Sequence, residues 1–364
     1  MLGKIAARLV ALSLSCAGIA AADVMPVPGT QPVKPVFDKS DLVCMCTAES
    51  TNREVQPGLQ DSAGRPMARI TTTTTFAIAM LYKGTVSVGQ HLAVLWVRDS
   101  PLPLPPEAQF EKGQPFLLFL VSVAPGLYET ADRFLGVSPF GMIPTGPKAS
   151  GFPGLEMTLA QIVAQSDRQD KLRALRLLQG FDLVSQQTRA LMRRIADSDD
   201  FEMALTAWAI LLKTKTPGIV AGLSAYLSAH PKATEPPFAL IGLEEGLSAI
   251  RDDRALETLE QLARSNYFEI RTGALYALRG VRDPRSVPTL IQRLDDERPE
   301  LQYLALITLA ETLQKYDGDY APSMYLFDKK PQYYISLWKQ WWADEGSKLY
   351  PRDSNSRREG GGHV

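Results

Sequence analysis

The spacing of apolar side chains divides the chain into two halves. In the first half apolar and polar positions alternate: Ile70, Phe76 and Ile78 share one face of an extended segment, and Thr71 and Thr73 lie on the other. A period of two predicts β-strands, and no helical pattern separates them. The predicted strands span 42–49, 70–82, 90–98, 116–123 and 128–137. We therefore expect a small antiparallel β-barrel or sandwich.

The second half shows helical spacing and an internal repeat. Arg251-Asp252-Asp253-Arg254 returns as Arg282-Asp283-Pro284-Arg285, 31 residues later (282 − 251), and the preceding helices keep this offset. Two short helices per repeat predict an α-solenoid, because one helical hairpin cannot bury its apolar face without a neighbour. The repeat is expected to fail at Leu313, where an arginine should recur. The helices predicted before it span 167–179, 185–196, 200–213, 217–229 and 237–250.

These repeats resemble HEAT repeats, of the short type named after phycobilisome-lyase proteins. The resemblance is clear over 236–314 and weaker over 155–235, and it implies a stacked α-α solenoid. Lyase activity is not carried over, because no bilin-binding residues are found. Arg254 and Arg282 are candidate ligand groups, but we interpret both as solvated arginines of the turns.

A second resemblance concerns the β-rich half. Residues 40–43 open a strand, residues 82–84 end the next one, and Phe110-Glu-Lys-Gly-Gln-Pro-Phe leads into an apolar strand. These segments resemble the netrin-like modules of secreted proteins, which have an OB-type fold. The related metalloproteinase inhibitors begin with a metal-chelating cysteine, whereas the predicted mature chain begins at Asp23, so protease inhibition is not expected.

The first 22 residues read as an export signal. Lys4 and Arg8 precede an apolar run that ends in small residues suited to cleavage before Asp23. The run is shorter than the roughly 20 residues that a membrane span needs. Ser13 stands where a lipoprotein signal usually has leucine, which argues against a lipid anchor on Cys16. We expect an exported protein, periplasmic or extracellular, without an integral membrane span after cleavage.

Proline and glycine mark the expected domain boundaries. The predicted organisation is a signal peptide (1–22), a proline-rich linker (23–37), a β-barrel-like domain (38–138), a second linker (139–154), a HEAT-type helical domain (155–346) and a disordered tail (347–364).

Two cysteines remain after signal cleavage, and they are the candidate redox pair. Cys44 and Cys46 lie two apart on one face of a predicted strand. In a regular strand their Cα atoms would be about 6.5–7 Å apart, and a disulfide between them would be strained. The open interpretations are two buried apolar side chains, a redox pair or intermolecular bridge, and a metal site.

Aromatic residues near the C-terminus are the candidate partner-binding residues. Residues 331–346 read as a last helix, in which Trp338 and Trp341 share one face and Trp342 follows. Such a helix either caps the solenoid or presents an aromatic patch to a protein or glycan.

The chain lacks recognisable catalytic chemistry. It has 364 residues, 3 His, 3 Cys and a net charge of −1, which disfavours a general nucleic-acid binder. The acidic pairs Glu244-Glu245 and Asp252-Asp253 are interpreted as solvated helix faces. No catalytic residue, cofactor site or metal site is predicted.

We therefore expect a non-catalytic scaffold whose solenoid binds a protein or peptide, its oligomeric state left open. One alternative is an OB-like ligand- or glycan-binding module with the solenoid as a spacer. A weaker alternative is a thiol-redox protein that acts through Cys44 and Cys46.

Overall fold

The structure is a computed structural model that describes residues 32–101, 110–132, 137–145, 149–214, 218–231, 237–316 and 318–351. The described residues form two compact units, Val33–Ser166 and the part from Asp167 onwards. No described helix is long and apolar enough to cross a membrane. The predicted signal peptide, and the tail beyond residue 351, lie outside the described residues.

The first unit is built on one sheet of six strands among the described residues. Strands β1 and β2 form a hairpin far longer than the sequence predicts, because β1 continues beyond residue 49 through Gln60. Its outer part is polar and exposed, so no apolar alternation marked it as a strand. The strands are β1 (Leu42–Gln60), β2 (Pro66–Lys83), β3 (His91–Pro101), β4 (Pro115–Ala124), β5 (Leu127–Thr130) and β6 (Val137–Pro139).

The hydrogen-bonded strand pairings form a circuit that begins and ends at β1. The hydrogen-bonded neighbours run β1, β2, β3, β5, β4, and β4 pairs again with β1, while β6 adds to β4. All pairs are antiparallel except β3 with β5, so the expectation of a purely antiparallel sheet is wrong at this pair. A shared apolar core lies on one face, with Phe76, Phe116 and Leu118 almost completely buried in it.

Two of the described helices belong to this unit, so it begins earlier and ends later than the predicted β-barrel-like domain. Helix α1 (Val33–Lys39) occupies the end of the predicted proline-rich linker and buries Val33, Val36 and Phe37. Helix α2 (Gly151–Gln165) packs on β2 and buries one apolar face. The sequence assigned most of α2 to the helical domain, because its spacing is helical. Its apolar face is used by the sheet instead.

The second unit is helical, and its first helices begin at polar caps. Asp167, Ser185 and Asp200 each accept a hydrogen bond from the backbone N–H three residues later, at 2.9–3.2 Å, which satisfies a donor that the helix start leaves free. The helices are α3 (Arg168–Gln179), α4 (Gln186–Ala196), α5 (Phe201–Lys213), α6 (Ile219–Ala229), α7 (Pro237–Ser248), α8 (Leu256–Leu262), α9 (Phe268–Val281), α10 (Val287–Arg293), α11 (Pro299–Leu313), α12 (Met324–Lys329), α13 (Pro331–Trp341) and α14 (Ser347–Leu349).

These helices stack in the order that a solenoid requires. Helices α5, α7, α9 and α11 pack successively against one another, and we call them the long-helix row. Of the shorter helices, α4 and α6 pack on α5, α8 packs on α9, and α10 packs on α11. Each unit of the stack therefore buries its apolar face on a neighbour, as the repeat predicts.

Leu313 stands where the repeat calls for an arginine, as predicted, but the helix cap of the repeat recurs at the next residue. Helix α9 ends at Arg282, which has a left-handed backbone with φ of 55°. Helix α11 ends in the same way at Gln314, with φ of 54°. Because α11 has one residue more than α9, its cap lies 32 residues after Arg282 rather than 31, and a fixed offset misses it.

The C-terminal segment closes the stack with aromatic side chains. Residues 318–330 contain a 3-10 turn (Gly318–Tyr320) and helix α12, and α13 packs on α11. A π-helical turn (Trp342–Gly346) then leads into α14, so the beginning of the predicted disordered tail is helical.

Candidate partner-binding site

A concavity of about 690 Å³ opens at the C-terminal ends of three helices in the long-helix row. Helices α7, α9 and α11 each contribute polar side chains to its wall. Three carboxylates, three guanidinium groups and one phenol face the same space. The lining residues are Glu244, Glu245, Ser248, Arg251, Tyr276, Arg279, Gly280, Arg282 and Glu311.

A glycine provides the room for this concavity. Any Cβ atom at Gly280 would collide with the guanidinium end of Arg251, which lies across the glycine. Nη1 of Arg251 donates to the carbonyl oxygens of Ser248 and Ile250, both at 2.6 Å. Arg251 thus satisfies carbonyl groups that the end of α7 leaves without partners, and its side chain forms part of the lining.

The opposite wall carries a cluster of opposite charges. Arg279 donates to both carboxylate oxygens of Glu311, with Nε to Oε2 at 2.9 Å. Arg282 lies 3.6 Å from the same carboxylate, and its side chain is 61% exposed. The hydrogen bonds from Arg279 lower the pKa of Glu311, so this carboxylate is ionised at neutral pH. Arg282 is therefore the guanidinium of this wall with most room for a further partner.

The third wall is acidic and poorly solvated. Burial, together with the charges of Glu269 and Glu245, raises the pKa of Glu244 to about 7. Burial also raises the pKa of Glu245, while the nearby charge of Lys213 lowers it. The prediction that this acidic pair is a fully solvated helix face is therefore wrong for Glu244, which is partly buried.

The arrangement offers an aromatic ring and charged groups to a polar chain. Tyr276 offers a ring that is 41% exposed between the acidic and basic walls. Tyrosine and arginine are the residues that most often anchor protein interfaces. No group of acidic, His or Cys side chains among the described residues could hold a metal ion.

The two arginines that the sequence singled out have different surroundings. Arg254 folds back on Asp252, with Nη2 to Oδ2 at 2.8 Å, while Asp252 also accepts the backbone N–H of Arg254 at 3.0 Å. Asp283 and Arg285 repeat this arrangement. Arg254 is a turn arginine, as interpreted. Arg282 is also an exposed turn arginine, as interpreted, and it lines the concavity as well.

The tryptophans proposed for partner binding pack inward. Trp338 is completely buried and its Nε1 donates to the carbonyl oxygen of Tyr320 at 3.0 Å. Trp341 is 6% exposed and packs edge-on against Trp338. Trp342 is partly exposed. The exposed aromatic rings of this region lie elsewhere, at Tyr325 and Tyr333, so the structure favours the capping role for Trp338 and Trp341.

The two cysteines lie together in the core of the first unit. Both are fully buried free thiols, and their Sγ atoms are 2.7 Å apart. The expected separation assumed a regular strand. Register shifts mark the pairing of this stretch of β1 with β2, whereas its pairing with β4 is in unbroken register.

Sequence reasoning missed most of the concavity. Tyr276, Arg279 and Glu311 carry no motif, and Gly280 looks like any other helix glycine. One signal was present: residue 280 is the repeat equivalent of residue 311 (311 − 280 = 31), and the two differ completely in size and charge.

Segment 238–314 matches the family model of HEAT repeats. The match spans α7 to the cap of α11 and contains every residue that lines the concavity. A search of curated proteins finds no match to the chain. HEAT repeats generally mediate protein–protein interaction. The second unit therefore contains HEAT-type repeats stacked as an α-solenoid, and the candidate site lies within them.

Proposed function

We propose that the protein is an exported, non-catalytic scaffold that binds a protein or peptide partner in the concavity of its HEAT-type repeats. The observation that supports this proposal is the concavity, in which the exposed side chains of Arg282 and Tyr276 line the same space. Stacked repeats offer extended surfaces of this kind to partners. Export rests on the N-terminal sequence pattern alone.

The chemistry of the walls favours a chain with both polar and apolar groups. A guanidinium pairs with carboxylates by parallel hydrogen bonds, and Arg282 holds its current carboxylate only at 3.6 Å. The ring of Tyr276 supplies apolar area next to it. A peptide that places an acidic side chain on Arg282 and an apolar one on Tyr276 satisfies both.

Site-specific photo-crosslinking tests this proposal. Benzoylphenylalanine replaces Tyr276 in one variant and Tyr325, which is 66% exposed on α12, in a matched control. We expect one defined partner adduct from position 276 and none from position 325. Arg282→Glu should abolish the adduct at position 276 without changing the melting temperature. Equal adducts from both positions would contradict binding in the concavity.

Export is tested separately, by the mass of the mature chain. A protein that begins at Asp23 in the envelope or extracellular fraction supports export, and an intact Met1 in the cytosolic fraction contradicts it.

The second candidate function is an OB-like ligand- or glycan-binding module. It is favoured by the circuit of pairings through β1, β2, β3, β5 and β4, because an OB-like barrel is five strands closed on themselves. Oligosaccharide array binding of the full chain tests it. Binding that survives filling of the concavity by Gly280→Glu would assign the ligand to the first unit. The third candidate, thiol redox chemistry, requires access to Cys44 and Cys46, whose thiols are completely enclosed.

A further inference from the structure

We propose that Cys44 and Cys46 form a structural disulfide within β1, made during folding and then sealed in the core. The two side chains project from the same face of one strand and share one apolar core with Phe76 and Phe116. Their Sγ atoms are already in contact at 2.7 Å. No other described residue is a cysteine, so within this part of the chain each thiol has one available partner.

The surroundings favour the oxidised form in the folded protein. Two thiols in an apolar core gain little from hydrogen bonding, because the S–H group is a weak donor. Oxidation removes both S–H groups and leaves an apolar bridge. Burial also raises the pKa of Cys46 far above its ordinary value, so the folded dithiol is a poor nucleophile. Exchange with an external oxidant must therefore precede closure of the core.

The reaction balances with a disulfide as the oxidant. The thiolate of one cysteine attacks the oxidant R–S–S–R, forms a mixed disulfide and releases one thiolate, which takes up a proton as R–SH. The second cysteine, as thiolate, then attacks the sulfur of the first, forms the Cys44–Cys46 bond and releases the second R–SH. Two cysteine thiols are oxidised and one external disulfide is reduced. Oxidising compartments supply such disulfides.

Peptide mapping after refolding tests this proposal. The full chain is reduced, denatured, refolded in buffer that contains glutathione disulfide, and then denatured with iodoacetamide present. Trypsin releases Ser40–Arg53, which contains both cysteines and excludes Cys16. We expect this peptide unalkylated and about 2 Da lighter than the dithiol, the mass of two hydrogen atoms. After reduction it should take up two alkyl groups.

Three results would overturn the proposal. They are two alkyl groups on the unreduced peptide, a glutathione adduct that persists on it, and a mixed disulfide with a partner protein in the wild-type chain. The variants Cys44→Ala and Cys46→Ala serve as controls, because each retains one thiol and must appear alkylated or glutathionylated. None of these results depends on partner binding by the solenoid.

Discussion

Two successive repeat turns start from nearly the same residues and end with different roles. Asp252 with Arg254, and Asp283 with Arg285, form the same capped turn to within about 0.2 Å in their Asp–Arg contacts. The leading arginines diverge. Arg251 lies across Gly280 and binds carbonyl oxygens of its own turn, whereas its equivalent Arg282 faces Glu311.

The divergence comes from the residue opposite each arginine. Gly280 and Glu311 occupy equivalent positions on α9 and α11. A glycine leaves space that the arginine side chain and the concavity share, while a glutamate fills the space with a paired charge. The comparison shows that a repeat preserves its turn by local hydrogen bonds, and that its binding surface is decided by the neighbour it stacks on.

The largest expected effect on stability concerns a buried ion pair that the second repeat has and the first lacks. Arg271 is 5% exposed and forms an ion pair with Asp296, also 5% exposed: Nη2 donates to Oδ1 at 3.2 Å, and Nε lies 3.0 Å from Oδ2. The residue equivalent to Arg271 in the preceding repeat, 31 residues earlier, is Leu240. Asp296→Ala leaves a buried charge without its main partner, and should lower the free energy of unfolding by about 3–5 kcal/mol.

Chemical denaturation measures this loss. Asp295→Ala is the neighbouring control, because Asp295 pairs with Lys339 on the surface, and it should cost about 0–1 kcal/mol. Equal losses in the two variants would show that the buried pair does not distinguish the second repeat.

The next prediction concerns the affinity for the partner, and its substitution gives the first repeat the residue that the second has at the equivalent position. Gly280→Glu places at Arg251 the carboxylate that Arg282 already has, and it fills the concavity. The affinity for the partner should fall at least tenfold, or about 1.4 kcal/mol, while the free energy of unfolding changes by about 1 kcal/mol or less.

Titration calorimetry or fluorescence anisotropy with the crosslinked partner measures this. Gly280→Ala also displaces the side chain of Arg251, but it brings no charge into the concavity and should retain most of the affinity. Full affinity of the Gly280→Glu variant for the partner would show that the partner binds outside the concavity.

A smaller effect tests the similarity of the two turns. Asp283→Ala removes an N-cap and its bonds to Arg285, and should cost about 1 kcal/mol. Asp252→Ala should act in the same direction. The bonds to Arg285 lower the pKa of Asp283 from its ordinary 3.8, so its contribution is present at neutral pH and is lost as the pH falls below 3.8. Unfolding at pH 7 and pH 3 checks both the loss and its pH dependence.

The last prediction concerns a pH dependence of stability that comes from Glu244 in the first repeat. The pKa of Glu244 rises from 4.5 to about 7 in the folded protein, so the folded state holds this proton more tightly than the unfolded state. Its contribution is complete below pH 4.5 and is lost as the pH rises through about 7. Glu244→Gln should flatten the stability curve between these values. Its equivalent in the next repeat is Leu275, and Leu275→Ala should leave the shape of the curve unchanged.

Much of the fold could be predicted because it rests on short-range patterns. The helical spacing and the 31-residue offset located the solenoid, and the caps at Asp167, Ser185 and Asp200 start the helices expected there. Alternation located most of the strands. Alternation did not reveal the strand beyond residue 49, because a strand without a buried face does not alternate apolar and polar residues. Helical spacing did not assign α2 to the first unit, because spacing does not say which unit the apolar face packs against.

The candidate site was much less predictable. Arg282 was noticed but placed in the turn, Glu244 was placed on a solvated face, and Trp338 and Trp341 were considered for a surface although both are buried. Glu244, Trp338 and Trp341 were misplaced because burial depends on what a neighbouring element covers and not on the residue itself.

By itself the sequence determined the repeat, the turn chemistry of Asp252 and Asp283, and the division into β-rich and helical parts, because these depend on contacts between residues close in the chain. Only the tertiary structure decided that Gly280 opens a concavity, that α2 serves the sheet, and that two cysteines on one strand meet. Those outcomes depend on how the helices stack and on how the core of the first unit packs, which no local pattern in the sequence reports.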